Sequence, residues 1–418
     1  DMLHGWLTSK GYKQNTHDPC LYTDWSTSKP THVLVWVDDV LVTGTQHARE
    51  KFKSELRKDF TISDLGTMGK TDTGKTKMTR YLGLNIEKHT WGYKITQDEL
   101  INNLLQKCKT HFPNLKNCDV PITAQKQVAE NQTEEQQKEW QKKPYRNYLG
   151  AIGYIMLASR PDLAYAYHAL SKFNHNYGEQ QWKTLENLLG YIQKTKNSLS
   201  MHISKSGGSR IMGYTDSDWN GDHKQHSTTG WIIFKGKNPI SWCSKSQKCT
   251  ARSTAEAEYI GISSCTQEAV YLQMLMKSIK QEDGSAEIIV DEPNMSEADK
   301  EKPIYETMAN AATIWSDSQS AICNSKDPWI SNKLRHIKTA YHFFKQFVEE
   351  KIVKIAYCPG KTNHADIFTK GYGDSKTGVT QVEPTFHHHA RTVLGMPIVY
   401  AKYNNSGGTA ERKKNNEN

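Results

Sequence analysis

Val33-Leu34-Val35-Trp36-Val37-Asp38-Asp39-Val40-Leu41-Val42-Thr43-Gly44 is a run of β-branched and apolar residues broken by two adjacent aspartates. It reads as two strands, 33–37 and 40–43, joined at Asp38-Asp39. Adjacent strand side chains point to opposite faces, so only one of the two acids can point squarely into a given site. Carboxylates among apolar neighbours need a cation or hydrogen-bond donors to offset their desolvation. The stretch is therefore either a plain hairpin with an acidic tip, since turns favour Asp, or part of an acidic site.

Working outward, residues 3–11 read as the end of a helix closed by Gly11. Tyr12–Tyr22 is a turn-rich lead into a strand. Downstream, 46–58 carries Phe52 and Leu56 at helical spacing, and 70–77 is a polar loop. Tyr81–Ile86 and Gly92–Ile95 read as paired strands. Gln97–Cys108 reads as a helix with Leu100, Leu104 and Leu105 on one side. Residues 124–143, rich in Gln, Glu and Lys, read as a solvated linker or exposed helix. Three helices follow, Tyr145–Leu157, Leu163–Phe173 and Gln181–Lys194, with Pro161-Asp162 suiting the start of the second.

Strand-like runs return at Met201–Ser204, Arg210–Thr215, Gly230–Lys235 and Pro239–Cys243. A long helix then covers 253–279. Glu258, Ile262, Cys265, Ala269, Leu272, Met276 and Ile279 step along it at helical spacing, so Glu258 lies on the core side one turn in. Glu256 projects about 200° away from it. Residues 281–306 hold nine acidic residues against two lysines and read as a loop insertion. Strands are expected at 312–316 and 352–357, and helices at 335–350 and from 363 to 370. The end, 404–418, is polar low complexity.

The 418 residues are 36% hydrophobic and 24% charged, with 11 Trp and 20 Tyr, which suits a surface-rich protein with real cores. The length predicts about two to four domains. A net charge of +9 fits a polyanionic partner. The eight cysteines form no Cys-x-x-Cys pair, which argues against a zinc ribbon or redox motif, and their scatter suits a reducing compartment. No apolar run approaches the roughly 18 residues of a membrane helix, and no signal peptide opens the chain. A first residue of Asp1 rather than Met is what a cleavage product or excised fragment would show.

Four acids in the second half stand in telling positions. Asp216 follows a strand, Glu258 sits early in a helix, Asp317 ends a strand and Asp366 lies in a first helical turn. Taken singly, Asp317 and Asp366 are readable as helix caps and Asp216 as a turn residue. Taken together they are electrostatically untenable without cations: two like charges about 4 Å apart repel by roughly 4 kcal/mol even at an effective dielectric of about 20. Convergence would imply divalent ions on oxygen ligands. Two such ions about 4 Å apart activate a water and stabilise the leaving oxygen of a phosphodiester. Asp218 and Glu256 are near misses. His387-His388-His389 reads as an exposed polar tract rather than a metal site. His364 reads as solvated, or as an aid to product release, and Lys333–Lys345 as a stretch able to track a phosphate backbone.

Several motifs resemble the Ty1/copia-type retrotransposon polyproteins. Tyr214-Thr215-Asp216-Ser217-Asp218-Trp219, Ser253-Thr254-Ala255-Glu256-Ala257-Glu258-Tyr259, Ser316-Asp317-Ser318-Gln319-Ser320-Ala321 and Asn363-His364-Ala365-Asp366-Ile367-Phe368-Thr369-Lys370 look like that family's ribonuclease H domain, as does Arg335–His342. His17–Tyr22, Val37-Asp38-Asp39, Tyr81-Leu82-Gly83-Leu84, Tyr148–Tyr154 and Arg160-Pro161-Asp162 match the preceding reverse transcriptase in order and spacing. The resemblance covers residues 3–373.

The resemblance implies an α/β protein: a truncated polymerase palm with a helical thumb or connection, then a ribonuclease H-like mixed five-stranded sheet flanked by helices. The expected divisions are 1–123 for the partial palm and start of the thumb, and 124–197 for the thumb or connection. Residues 198–373 would form the ribonuclease H domain, with its insertion near 281–311, and 374–418 a polar, disordered tail. Asp38 would ligate the catalytic magnesium ions with Asp39 beside it, and Tyr81–Leu84 would lie near the primer end. Asp216, Glu258, Asp317 and Asp366 would carry two Mg2+ or Mn2+ ions that hydrolyse the RNA of an RNA–DNA hybrid. A palm needs another aspartate upstream of the hairpin, and Asp1, Asp18 and Asp24 stand in no suitable strand. The fingers are missing too, so the palm is expected to be inactive by itself while the ribonuclease H half is whole. Expected partners are the hybrid, template–primer, the rest of the polyprotein or a full-length polymerase, with no membrane. The expected location is cytoplasmic, in a virus-like particle, or nuclear. Rival readings are a decayed or domesticated nucleic-acid binder and a scaffolding subunit.

Overall fold

The structure is a computed structural model, describing residues 2–70, 76–125, 127–128, 132–221, 226–280, 311–327, 329, 334, 337, 339–373 and 384–397. The first lobe begins with helix α1 (Met2–Ser9). Strands β1 (Lys13–Gln14), β2 (Leu21–Asp24), β3 (Thr31–Trp36) and β4 (Asp39–Thr43) follow as an antiparallel sheet in sequence order. Helix α2 (Gln46–Asp59) starts at Thr45, whose hydroxyl accepts from the Ala48 N–H, and buries Phe52 and Leu56. These two pack with Leu7, Tyr12, Tyr22 and Val33 in a small core of their own.

The acidic hairpin differs from expectation by one residue. Trp36 pairs with Asp39, so the turn is Val37-Asp38 and Asp39 already belongs to a strand. A two-residue hairpin requires positive φ in its turn, and Val37 supplies it at φ 51°, a costly place for a β-branched residue.

The second sheet runs β5 (Gly69–Lys70), β6 (Thr76–Tyr81), β7 (Leu84–Lys88), β8 (Gly92–Thr96) and then β9 (Met201–Ser204). Residues 71–75 of the expected polar loop lie outside the described residues. Met201–Ser204 was expected among the strands of the C-terminal half. It pairs instead with β8, from Gly92↔Ser204 to Ile95↔Met201. A short alternating run declares a strand but not its partner.

Between these strands lie α3 (Asp98–Cys108), α4 (Glu134–Gln141), α5 (Tyr145–Ala158), α6 (Ala164–Ser171) and α7 (Glu179–Thr195). The polar 124–143 segment thus folds in part, with Thr133 and Gln136 forming a capping box at the start of α4. Arg160 and Asp162 bracket the turn before α6. The buried guanidinium of Arg160 donates twice to Asp162, at 2.8 and 2.7 Å, and once to Thr195 Oγ1. Tyr191 Oη also donates to Asp162, so this pair fastens the turn to α7.

The C-terminal sheet comprises β10 (Ile211–Asp218), β11 (Thr228–Lys235), β12 (Asn238–Ser246), β13 (Ala312–Ser316) and β14 (Val353–Tyr357), in the order β12-β11-β10-β13-β14. The first three pair antiparallel, while β13 and β14 run parallel to β10. This is the mixed five-stranded sheet that the sequence led us to expect. One face packs Ile233 and Ile314 against α8 (Thr254–Lys280), α9 (Gln319–Lys326) and α10 (Phe344–Glu349). The other face, through Ile232 and Phe234, joins the core of α3, α5, α6 and α7. At its far end α8 touches the first lobe, where Asn15 Nδ2 donates to Ser278 Oγ (2.8 Å).

Three expectations change in this half. The helix expected at 335–350 is, within the described residues, a 3-10 turn at Thr339–Tyr341 and then α10. The helix expected from 363 to 370 is a single 3-10 turn, Asp366–Phe368. The tail expected to be disordered contains helix α11 (Pro384–Val393), where Phe386, Ala390 and Val393 are at most 1% exposed. Their helical spacing sits among polar residues, which hides the signal. The acidic insertion at 281–310 and the low-complexity end lie outside the described residues. Among the described residues no helix is long and apolar enough to cross a membrane.

Candidate active site

The ends of two parallel strands and one helix define the site. β13 runs beside β10, pairing Tyr214 with Trp315, so Asp317 just past β13 arrives near Asp216 of β10. Helix α8 crosses β10 at Gly261, where a Cβ would stand 2.6 Å from Ser217 Oγ and 3.0 Å from Thr215 Oγ1. That close approach brings Glu258, one turn earlier, to the strand end. The Ser217 N–H donates to Glu258 Oε1 (3.0 Å), and Ser217 Oγ donates to the Ala257 carbonyl (3.0 Å). Asp216, Glu258 and Asp317 each present a carboxylate oxygen within 4.8 Å of the others.

Glu256 is also buried but does other work. Its Oε2 accepts from the Arg252 N–H (2.7 Å) and its own N–H donates to Ser253 Oγ, which caps the start of α8. The carboxylate of Asp218 lies over Gly221 at the end of β10, outside the group of three.

The cluster is short of positive charge. Burial, and next Asp366, push the Asp216 carboxyl up to about 7. Burial, with Asp216 and Asp317 behind it, lifts Glu258 well above the usual carboxylate range, and burial also raises Asp317. Glu258 Oε2 is buried without a hydrogen-bond partner. An all-oxygen donor set with a vacant acceptor fits a hard divalent cation.

Asp366 sits beside this group rather than in it. Asn363 Nδ2 donates to the Thr215 carbonyl (3.0 Å), anchoring the 363–370 segment on β10. Gly230 admits the segment against β11, because a Cβ there would lie 2.6 Å from Phe368 Cβ. Tyr372 Oη donates to Asp366 Oδ2 (2.7 Å), and the Lys370 ammonium pairs with Oδ1. The Thr369 hydroxyl donates to Asp216 Oδ2. Sequence reasoning gave Thr369, Lys370 and Tyr372 no role, although the first two stand inside the Asn363–Lys370 motif.

His364 is not solvated. It packs edge-on against Tyr214 at 4.8 Å, and its Nδ1 is 2.9 Å from His389 Nδ1, so one ring donates and the other accepts. Burial, then the two neighbouring histidines, push His364 down to about 3. His389 is fully buried, which corrects the expected exposed tract, while His387 remains exposed. Helix α11 turns its apolar side inward and takes His389 with it. In the basic stretch, Lys345 donates to the Asp327 and Trp329 carbonyls. Asp38 and Asp39 are exposed at the hairpin tip, and among the described residues no third acid completes a cluster with them. Asp24 closes β2, and its carboxylate accepts from the Ser26 N–H (2.9 Å).

A family model described as "Reverse transcriptase (RNA-dependent DNA polymerase)" matches residues 1–124. The Pol polyprotein of transposon TNT 1-94 from Nicotiana tabacum is 29% identical over 373 residues, which is 87% of this chain. Over most of its length the chain is similar to retrotransposon Pol polyproteins. It spans about a quarter of that relative's length (25%). The secreted RxLR effector protein 161 of Plasmopara viticola is 37% identical over 138 residues, 33% of this chain and 96% of its own length. The crystal structure of RNase H1 from the halophilic archaeon Halobacterium salinarum is 15% identical, with TM-score 0.23, and covers 38% of this chain and 95% of that one. The reverse transcriptase match includes the Asp38-Asp39 hairpin and ends before the acid cluster.

Proposed function

We propose that this chain hydrolyses the RNA strand of RNA–DNA hybrids at the Asp216, Glu258 and Asp317 cluster, with Asp366 completing it. The observation that carries the reading is the convergence of three carboxylates from β10, α8 and the end of β13 around an unpartnered Glu258 oxygen. Mg2+ or Mn2+ ions held there would activate a water and stabilise the leaving oxygen of a phosphodiester. The chain's own part is to hold the carboxylates in place. The Ser217 N–H aims Glu258, the Thr369 hydroxyl holds Asp216, and Asn363 keeps the Asp366 segment on β10. The hybrid would be recognised by backbone shape and the 2′-hydroxyl rather than by sequence.

On this reading residues 1–123 are part of a polymerase palm, 124–197 its thumb or connection, and 198–373 the nuclease unit. Asp38 and Asp39 would be the metal-binding pair of that palm. With no third carboxylate beside them among the described residues, primer extension is not expected from this chain. Polymerisation would call for the rest of the polyprotein or a full-length partner, in a cytoplasmic particle or the nucleus.

A labelled RNA–DNA hybrid incubated with the protein and Mg2+ or Mn2+ tests the proposal. Cleavage by the wild type is expected, with a loss of about a hundredfold or more in Asp317→Asn. Absence of cleavage by the wild type, or equal cleavage by Asp317→Asn, overturns it. Tight hybrid binding without cleavage would leave a nucleic-acid binder in its place.

A further inference from the structure

We propose that Lys370 is the resident counter-ion of the acid cluster and competes with an incoming divalent cation for Asp366. The inference rests on the cluster being a divalent-cation site. It starts from the division of labour at Asp366. Tyr372 Oη holds Oδ2 at 2.7 Å, and Lys370 occupies Oδ1 from four residues further along the chain, just past the 3-10 turn. The same ammonium bears electrostatically on Asp216, Glu258 and Asp317, so it serves the whole cluster and not one partner.

The two ends of the pair differ in freedom. The Lys370 side chain is 52% exposed and the Asp366 side chain 15%. A long, half-exposed lysine can swing into solvent at little cost, because its ammonium is readily rehydrated there. Asp366 cannot follow it, because Tyr372 keeps Oδ2 in place. Withdrawal of the ammonium therefore leaves Oδ1 free and already beside the other three acids. The lysine keeps its charge throughout, and the exchange is one cation for another. Lys370 is thus a positioning residue: it acts through Asp366, keeping the metal-free cluster together and setting how readily the first cation enters.

The test is Mn2+ binding to the full chain without nucleic acid at pH 8, followed by electron paramagnetic resonance, with thermal unfolding in EDTA and in saturating Mn2+. Lys370→Met is expected to bind Mn2+ roughly tenfold more tightly than wild type. It should melt lower in EDTA and regain the difference in Mn2+. Lys370→Arg should keep wild-type affinity, and Tyr372→Phe, which leaves the lysine in place, should not tighten binding. Equal or weaker Mn2+ binding by Lys370→Met overturns the inference. Should that variant fail to fold, Lys370→Gln is read by the same criteria. No Mn2+ binding by the wild type would instead sink the cation-site reading beneath it.

Discussion

Asp216 sits where its charge is least welcome, buried and next to other acids. Its carboxyl is pushed from an ordinary 3.8 to about 7, by burial first and Asp366 second. The sign of the consequence follows from proton counting. Between those values the folded chain holds a proton that the unfolded chain has released, so stability falls as pH rises from about 4 to about 7. The full span is worth at most about 4 kcal/mol. Thermal unfolding in EDTA should therefore show a melting temperature that declines across this window. Millimolar Mg2+ should remove most of the decline, and Asp216→Asn should flatten it without metal. A decline that Asp216→Asn leaves intact would assign it to other groups. At this scale the sequence separated Glu258 from Glu256, because a side chain's face on a long helix follows from 3.6-residue geometry. It could not reveal Lys370 and Tyr372 as the holders of Asp366, because their reach depends on a 3-10 turn where a longer helix was expected.

Helix α11 shows the same limit for elements. Phe386, Ala390 and Val393 repeat at helical spacing, so the helix could have been read. Three histidines and the polar surroundings argued for an exposed tail, and nothing local shows that Tyr191 and Tyr372 wait to receive Phe386. Phe386→Ala is expected to cost about 3–5 kcal/mol, while His387→Ala on the exposed side should stay within about 0.5 kcal/mol. Urea unfolding distinguishes them, and equal midpoints would mean that α11 is not part of the fold's core. β9 carries a related lesson. Its alternation was legible, but its place beside β8 is a long-range choice that depends on the whole chain closing. The hairpin turn was misplaced by one residue because both Val37-Asp38 and Asp38-Asp39 satisfy the local pattern, and cross-strand pairing decides between them.

The molecule as a whole is less divisible than its motifs suggest. Ile232 and Phe234 of the C-terminal sheet share one core with Leu149, Leu170 and Leu188 of the preceding helices. Trp242 Nε1 donates to the Met156 carbonyl (3.1 Å), and the Tyr372 N–H donates to the Ile122 carbonyl (3.1 Å). A fragment starting at residue 198 would bare a sheet face and strip β9 of its partner. It is expected to bind hydrophobic dye and to lose the sharp unfolding transition of the whole chain. Removing residues 1–68 takes away a lobe with its own small core, so a fragment from 69 onward should melt close to the intact protein. The reverse order of stability, by calorimetry, would show that the shared core does not hold the two halves together.

Helix α8 joins these scales. Its start carries Glu258 and its far end touches Asn15 through Ser278, about 30 Å further along the axis. It is in effect a ruler, graduated in helical turns, with the acid cluster at one mark and the hairpin lobe at another. Lengthening the rod by one turn would move that mark by about 5.4 Å and leave the chemistry untouched.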